Sequence, residues 1–517
     1  EVAEKKLEDL RTPPDMDKYD WFASKANAYA FLYTIGFNVS SAAVNLSQIP
    51  MVIATKLAGT YGLGNSMLAM GKALKYIHVS ESGFSIGVDN YFDYSPITNT
   101  FIVKTTAPRA YRKDLERLKP LIEGLRNRGI LSVSAIDQQY IRSERKKVSL
   151  RQAGNFDTEG FLSQYAKRKD GTVRQSVLSN LGNIQDKIVA ASGVAFSGAE
   201  IISRQATLVA TYLLELDKMQ AAKSRKAQGT KLTDTDYEKA IDEAVYVMQE
   251  TNGASFRESA PPVTRQGLLA ITMMYKTFGL QMYYLQLKQM FTVINTTFRS
   301  KKGASQAEVD EMRRQRKAAI GFVMGNTAVG LFLSGVVGNP LYGAVQTIYD
   351  LMPEDEDEPA EYRNFNQWVR DGLLNDTLVR GLLAEGLGIN AGDRMRLSGL
   401  LIPEDRFKRE VPWQEKLVRF AGGPAGSVLD KMIRATEKAK DKRYLRAVEE
   451  ALPTGFANVI KALGRYETEG ARTKDNMIIR DDITSGELAA QLFGFSPMKI
   501  VRTQEDVGER KYVEKKV

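Results

Sequence analysis

The chain has 517 residues, no cysteine and a single histidine, His78. Disulfides, thiolate nucleophiles and cysteine-bound metals are thereby excluded, and any imidazole catalysis would rest on one side chain. Lys plus Arg number 72 against 62 Asp plus Glu, a net +10, and 43% of residues are apolar, a balance that argues against a disordered or polytopic membrane chain and suits about three or four folded domains.

The opening residues, EVAEKKLEDLRTPPDMDKYDWF, start without Met and show no signal-peptide pattern, so a piece of a longer polypeptide is expected. Residues 26–55 carry no charge, but Asn27, Asn38, Ser40, Ser41, Asn45, Ser47, Gln48 and Pro50 interrupt them. That mixture predicts two buried helices broken near positions 36–40 rather than a transmembrane span. Gly59, Gly62 and Gly64 form a Gly-rich turn without the Lys-Ser/Thr of a phosphate loop. His78 follows a helical stretch and is expected to pack at its end. Residues 81–108 are punctuated by Gly, Asn, Asp and Pro and predict a long loop with at most a minor hairpin. Within them Glu81-Ser82 resembles the Glu-Ser pair of lytic transglycosylases, whose Glu is the acid, but lacks the signature that follows it, so no catalytic residue is assigned.

Basic residues then cluster at Arg109, Arg112, Lys113, Arg117, Lys119, Arg126 and Arg128, at Arg142, Arg145, Lys146, Lys147 and Arg151, and later at Lys438, Lys440, Lys442, Arg443 and Arg446. Each cation that neutralises a phosphate releases counterions. Arg109, Arg112, Lys113, Arg117, Arg142, Arg145, Lys146, Lys147, Lys438, Lys442 and Arg443 are therefore candidate contacts to DNA or anionic lipid. Asp114, Glu116, Glu123 and Glu144 are interspersed and no base-reading motif accompanies the clusters, so sequence-specific readout is not expected.

Apolar residues recurring every three or four positions predict helix nearly everywhere else. Thr235/Glu238, Ser305/Glu308 and Thr484/Glu487 have the spacing of capping boxes. Glu200 and Arg204, four apart on a mostly apolar helix, are a candidate structural ion pair, strong if buried and weak if exposed. Leu268, Ile271, Tyr275, Phe278, Met282, Leu285 and Phe291 mark the core face of a long helix over 265–298, with Met as core filler rather than part of a cofactor site.

Residues 318–349 are again free of charge. They follow Arg313, Arg314, Arg316 and Lys317, contain Gly321-x-x-x-Gly325, break at Asn339-Pro340 and lead into the acidic run of residues 354–358, read as a solvated loop. Small residues four apart let helix backbones approach closely. Gly321, Phe322, Gly325, Leu331, Phe332 and Val336 are therefore candidate contacts to a membrane or a partner helix, the other reading being a buried helical hairpin. The glycines of residues 422–427 are read as a turn. The expected fold is all-α, an elongated multi-helix bundle with long loops. Its segments are an N-terminal helical segment with loop (1–108), a central helical segment (109–303), the Gly-rich hydrophobic hairpin with acidic loop (304–362) and a C-terminal helical segment (363–517).

The order of these stretches carries more information than any one of them. LYTIGFNVSSAAVNLSQIPMV (32–52) is followed by FSGAEIISRQATLVATYLLEL (196–216), the 257–262 loop, the long helix, the hydrophobic hairpin and the acidic loop. AGDRMRLSGLL (391–401), the 422–427 turn, ALPTGFANVIKALGRYETEG (451–470) and ITSGELAAQLFGFSPMKI (483–500) complete the series. From about residue 25 to 510 the succession resembles the C-terminal portion of very large phage internal virion proteins, the ejection or pilot proteins of short-tailed phages, and related large polyvalent proteins with a PLxRFG-type region. The resemblance implies a non-enzymatic helical module without cofactors, packaged in the virion interior and delivered to the host envelope, periplasm or inner membrane. There it would help form a conduit for DNA. Implied partners are other phage ejection proteins, the portal or core, non-specifically bound phage DNA, the host inner membrane and further copies of the chain. A non-catalytic C-terminal domain of a virion RNA polymerase, or a membrane-inserting channel segment, is the alternative.

Overall fold

The computed structural model describes residues 33–79, 86–95, 97–98, 100–128, 175–225, 231–252, 276–298, 305–336, 376–390, 428, 431–467, 470–472, 478–504 and 506–507. Among these residues the fold is all-α, with three small two-stranded antiparallel ladders.

The expected break near position 36 is present: Phe37 has φ +56°, and α1 (Val39–Gln48) begins just after it. α1 runs through one π turn (Ile49–Ile53) into α2 (Ala54–Tyr61). Pro50 has no N–H to donate and its ring crowds the preceding turn, so the ladder widens locally instead of stopping. The Thr55 hydroxyl donates to the Met51 carbonyl at 2.6 Å and so braces the widened turn. Gly62, at φ +87°, separates α2 from α3 (Leu63–Tyr76), in a region of backbone space that residues with a Cβ rarely enter.

Two ladders follow where at most one hairpin was expected. β1 (His78–Val79) pairs with β2 (Ile86–Gly87), and β3 (Phe92–Ser95) pairs with β4 (Thr100–Val103) in the register Phe92↔Val103. His78 lies at the end of α3 as expected, its ring 4.9 Å from that of Tyr91. Phe92 and Phe101 point inward from the second ladder and meet edge to face at 6.3 Å. Residues 80–85, with Glu81 and Ser82, lie outside the described residues.

α4 (Arg109–Asn127), α5 (Gln175–Arg225) and α6 (Asp234–Asn252) build the main core with α2 and α3. In α4 the spacing of Leu115, Leu118, Ile122 and Leu125 makes one buried stripe. α5 has 51 residues and is about 75 Å long at 1.5 Å per residue. From 203 to 216 every residue of it is buried, with Tyr212 and Leu216 among the innermost. Each large apolar side chain so buried contributes about 1.5–3 kcal/mol. Among the described residues, one cluster of buried side chains takes members from Ile49 to Met248, on both sides of position 108.

The cap of α6 is shifted by two residues from expectation. Thr233 donates to Asp236 through both its backbone N–H and its hydroxyl, while Thr235 and Glu238 already lie within the helix. Thr233 and Asp236 share the same three-residue offset, so the sequence offers two overlapping boxes. The second amphipathic pair is α7 (Lys276–Phe298) and α8 (Gln306–Ser334). The Ser305/Glu308 box caps α8 as expected. Met282 and Leu285 are buried as expected, whereas Phe291 is exposed, because α8 covers the opposite face of α7. Leu268, Ile271 and Tyr275 lie outside the described residues, as does the Asn339-Pro340 break; α8 ends earlier, at Gly335.

Past these stand α9 (Asp376–Arg380), α10 (Leu382–Leu387), a helix over 431–440, α11 (Tyr444–Ala451), α12 (Thr454–Glu467) and α13 (Ser485–Leu492). Thr484/Glu487 caps α13 as expected. β5 (Ala471–Arg472) and β6 (Ile478–Arg480) form a third ladder in a stretch expected to be helical. The C-terminal helices reach back to the start of the described chain. The Thr454 hydroxyl donates to the Tyr33 carbonyl at 2.7 Å, and the rings of Phe37 and Phe456 lie 4.8 Å apart.

Candidate functional site

The hydrophobic hairpin predicted a close helix contact, and the structure supplies the other helix from within the chain. A Cβ added to Gly321 would lie 3.0 Å from Gly59 Cα, and one on Gly325 would lie 3.2 Å from Thr55 Cγ2. α8 therefore crosses α2 at near backbone contact. Phe322 is buried among Met51, Val52, Met282 and Leu285. Asn326, one turn on, donates to the Met51 carbonyl at 2.7 Å and accepts from Gln286 of α7 at 2.8 Å. The π turn forced by Pro50 thus places the Met51 carbonyl where α8 can bind it. Of the six candidate contacts to membrane or partner helix, Gly321, Phe322 and Gly325 serve this internal crossing. Leu331 and Val336 are partly buried and Phe332 is half exposed. α8 is still long and apolar enough, by length and composition, to cross a bilayer.

A polar seam runs through the helical core beside this crossing. On α5, Glu200, Arg204, Thr207, Thr211 and Glu215 recur at helical spacing and are all buried. Arg204 Nη2 lies 2.8 Å from Glu200 Oε1 with both side chains nearly inaccessible, so the buried version of this ion pair holds. The approach is misaligned for a hydrogen bond, and Arg204 Nε has no hydrogen-bond partner. Ser203 donates to Asn252 Oδ1 at 2.7 Å, and Asn252 donates to the Thr207 hydroxyl at 3.0 Å, which ties α5 to α6. Tyr61 of α2 and Lys218 both donate to Glu215 Oε1, at 2.6 and 2.7 Å. Burial, and then the bond to Glu215, push the Tyr61 phenol well above its ordinary range.

The centre of the seam is Glu250 of α6. Its Oε2 lies 2.8 Å from Lys56 Nζ of α2, and its Oε1 accepts from Lys288 Nζ of α7 at 2.8 Å. Burial alone would raise the Glu250 carboxyl, but the two ammonium groups outweigh it and hold the carboxyl below the usual range. Glu243, one side of the same helix, is raised, by burial first and by the charge of Glu215 second. One carboxylate thus joins three helices. Sequence reading missed this triad, although a signal existed: Lys56 is the first charge after the 30 uncharged residues, and Lys288 is the only charge between Thr277 and Phe298.

Among the described residues, several cations of the basic clusters are held by their own surroundings. Arg112 donates to the Thr105 and Ala107 carbonyls, and Arg117 pairs with Asp217 at 2.7 Å. Arg126 stacks on the Tyr94 ring at 3.4 Å, and Arg128 pairs with Glu238 and Asp242. Lys438 donates to Glu450 at 2.6 Å. Arg109, Lys113, Lys442 and Arg443 are exposed, with Lys442 at φ +60° in the turn before α11. Arg142, Arg145, Lys146 and Lys147 lie outside the described residues, as do residues 354–358, 391–401 and 422–427.

No protein-family model, curated protein or solved structure matches this chain.

Proposed function

We propose that this chain is a non-catalytic structural component of a phage genome-ejection apparatus, carried in the virion interior and delivered into the host envelope, where it helps form a conduit for DNA. The order of sequence stretches supports the reading, and the observation that carries it is α5. A helix about 75 Å long, with a buried polar seam along its packed half, is a strut rather than the wall of a catalytic cleft. A polar seam also suits a chain that must find one packing after delivery, since buried charges that lack their partners disfavour wrong helix registers. The exposed cations Arg109, Lys113, Lys442 and Arg443 provide its contacts to DNA, while other ejection proteins, the portal or core, the inner membrane and further copies of the chain are its remaining partners. A membrane-inserting channel segment is the second reading, favoured by the length and apolar composition of α8.

The test is location. Antibody against the chain should label disrupted but not intact virions, and after infection it should move into the periplasmic and inner-membrane fractions. Absence from purified virions would sink the proposal. Carbonate-resistant membrane extraction of the chain after infection would favour the channel reading.

A further inference from the structure

α7 has two apolar faces and spends only one of them. Tyr284, Leu287, Phe291, Ile294 and Phe298 recur at alternating intervals of three and four residues, and they are 65%, 43%, 57%, 47% and 82% exposed. At 3.6 residues per turn the five fall within a stripe about 80° wide, narrower than an ordinary core-facing surface and typical of a coiled-coil seam. The opposite face, with Met282, Leu285, Gln286 and Gln289, is buried and packs on α8. We propose that this stripe is a self-association seam that receives α7 of a second copy of this chain, antiparallel and centred on Phe291.

Charge identifies the occupant. The exposed flanking residues Met290, Asn295 and Thr297 are neutral. The one charge along the stretch, Lys288, is already bonded to Glu250 and Tyr246 of its own chain. A chain of net +10 can therefore meet itself along this line without like-charge contact. A membrane-surface helix would instead set basic residues beside its apolar face. Orientation follows from the stripe itself, whose ends are disposed evenly about Phe291, with Tyr284 and Phe298 seven residues to either side. Antiparallel pairing sets Phe298 against Tyr284 and opposes the two helix dipoles, whereas parallel pairing would align them.

Area fixes the strength. Three aromatic side chains and two aliphatic ones, scaled by their exposure, supply about 500 Å² per copy. The total of roughly 1,000 Å² is at the low edge of specific interfaces, so the dimer is weak and depends on concentration. The seam would locate the self-assembly included in the functional proposal, but it rests on α7 alone and not on the ejection reading.

The absence of native cysteine makes the test clean. Full-length Tyr284→Cys and Phe298→Cys chains, mixed under mild oxidation, should form a disulfide-linked dimer, while either variant alone should not. Sedimentation equilibrium of the unmodified chain should show the dimer fraction rising through the micromolar range. Leu287→Glu with Ile294→Glu should weaken it by roughly tenfold or more, with circular dichroism at a concentration where the chain is monomeric showing the helical fold retained. A monomer at every concentration, a dimer indifferent to these substitutions, or a disulfide in either cysteine variant alone would overturn the proposal. So would stripe-dependent binding to phosphatidylglycerol vesicles by a chain that stays monomeric. None of these outcomes bears on whether the chain is found in virions.

Discussion

Gly59 and Ala318 meet backbone to backbone: a methyl group on Gly59 would lie 2.3 Å from the Ala318 carbonyl oxygen. This contact closes the α2–α8 crossing and has a direct consequence for substitution. At an open helical site, Gly→Ala gains roughly 0.5–1 kcal/mol of backbone entropy. At Gly59 the added carbon must push a backbone apart, which costs about 1–3 kcal/mol. Gly59→Ala should therefore lower the melting temperature, while Gly71→Ala in α3, with nothing within 4 Å of its added carbon, should raise it slightly. Two shifts of the same sign would contradict the crossing.

Arg204 tests the polar seam on α5. Truncating it removes the cation beside Glu200, itself nearly inaccessible, and breaking such a buried pair costs about 3–5 kcal/mol. Replacing both, with Glu200→Gln and Arg204→Met, should recover a large part of that loss. Thermal melts of the two variants decide the matter, and a drop of only a degree for Arg204→Ala would mean that the pair contributes as a surface pair does, about 0.3–0.5 kcal/mol.

Glu250 and Glu243 should give opposite pH signatures. The folded-state pKa of Glu250 is depressed, so its contribution is present above the unfolded value of about 4.3 and is lost as pH falls through the folded value. Glu250→Gln should therefore destabilise at neutral pH and have little effect in acid. The folded-state pKa of Glu243 is raised, so the folded state binds more protons than the unfolded one between the two values. Stability then falls as pH rises through that window, and Glu243→Gln should stabilise the protein at neutral pH but not below pH about 4. Melting curves across the acid-to-neutral range would show both.

The exposed cations are testable by salt. If Arg109 and Lys113 contact phosphates, binding to duplex DNA should weaken steeply with salt, and each Ala substitution should reduce the slope of log K against log salt by about 0.9. Arg112→Ala and Arg117→Ala should leave that slope nearly unchanged, since both guanidinium groups are held by the chain itself. A slope equally sensitive to all four would mean that the chain does not hold Arg112 and Arg117 away from DNA.

The helix caps predict small, local losses. Ser305→Ala removes the hydroxyl that accepts from the Glu308 N–H and should cost about 1 kcal/mol, with faster amide exchange confined to the first turn of α8. Thr484→Ala should do the same for α13.

The amino-acid sequence by itself determined the class of fold and several of its boundaries. The boxes at Ser305 and Thr484 and the break before Val39 depend on residues within a few positions of one another, and such signals can be read along a line. It also placed Glu200 and Arg204 on one helix face, but not whether that face was buried. Burial, and with it the strength of the pair, was decided when α6 and the first helices enclosed α5. The triad of Lys56, Glu250 and Lys288 was decided in the same way, because its members come from three distant helices and no local spacing links them. The Gly321/Gly325 stripe shows the division most clearly. Its small residues announced a close approach, and only the tertiary structure chose α2 of the same chain as the helix approached, because the π turn at Pro50 set Met51 and Gly59 where α8 could reach them.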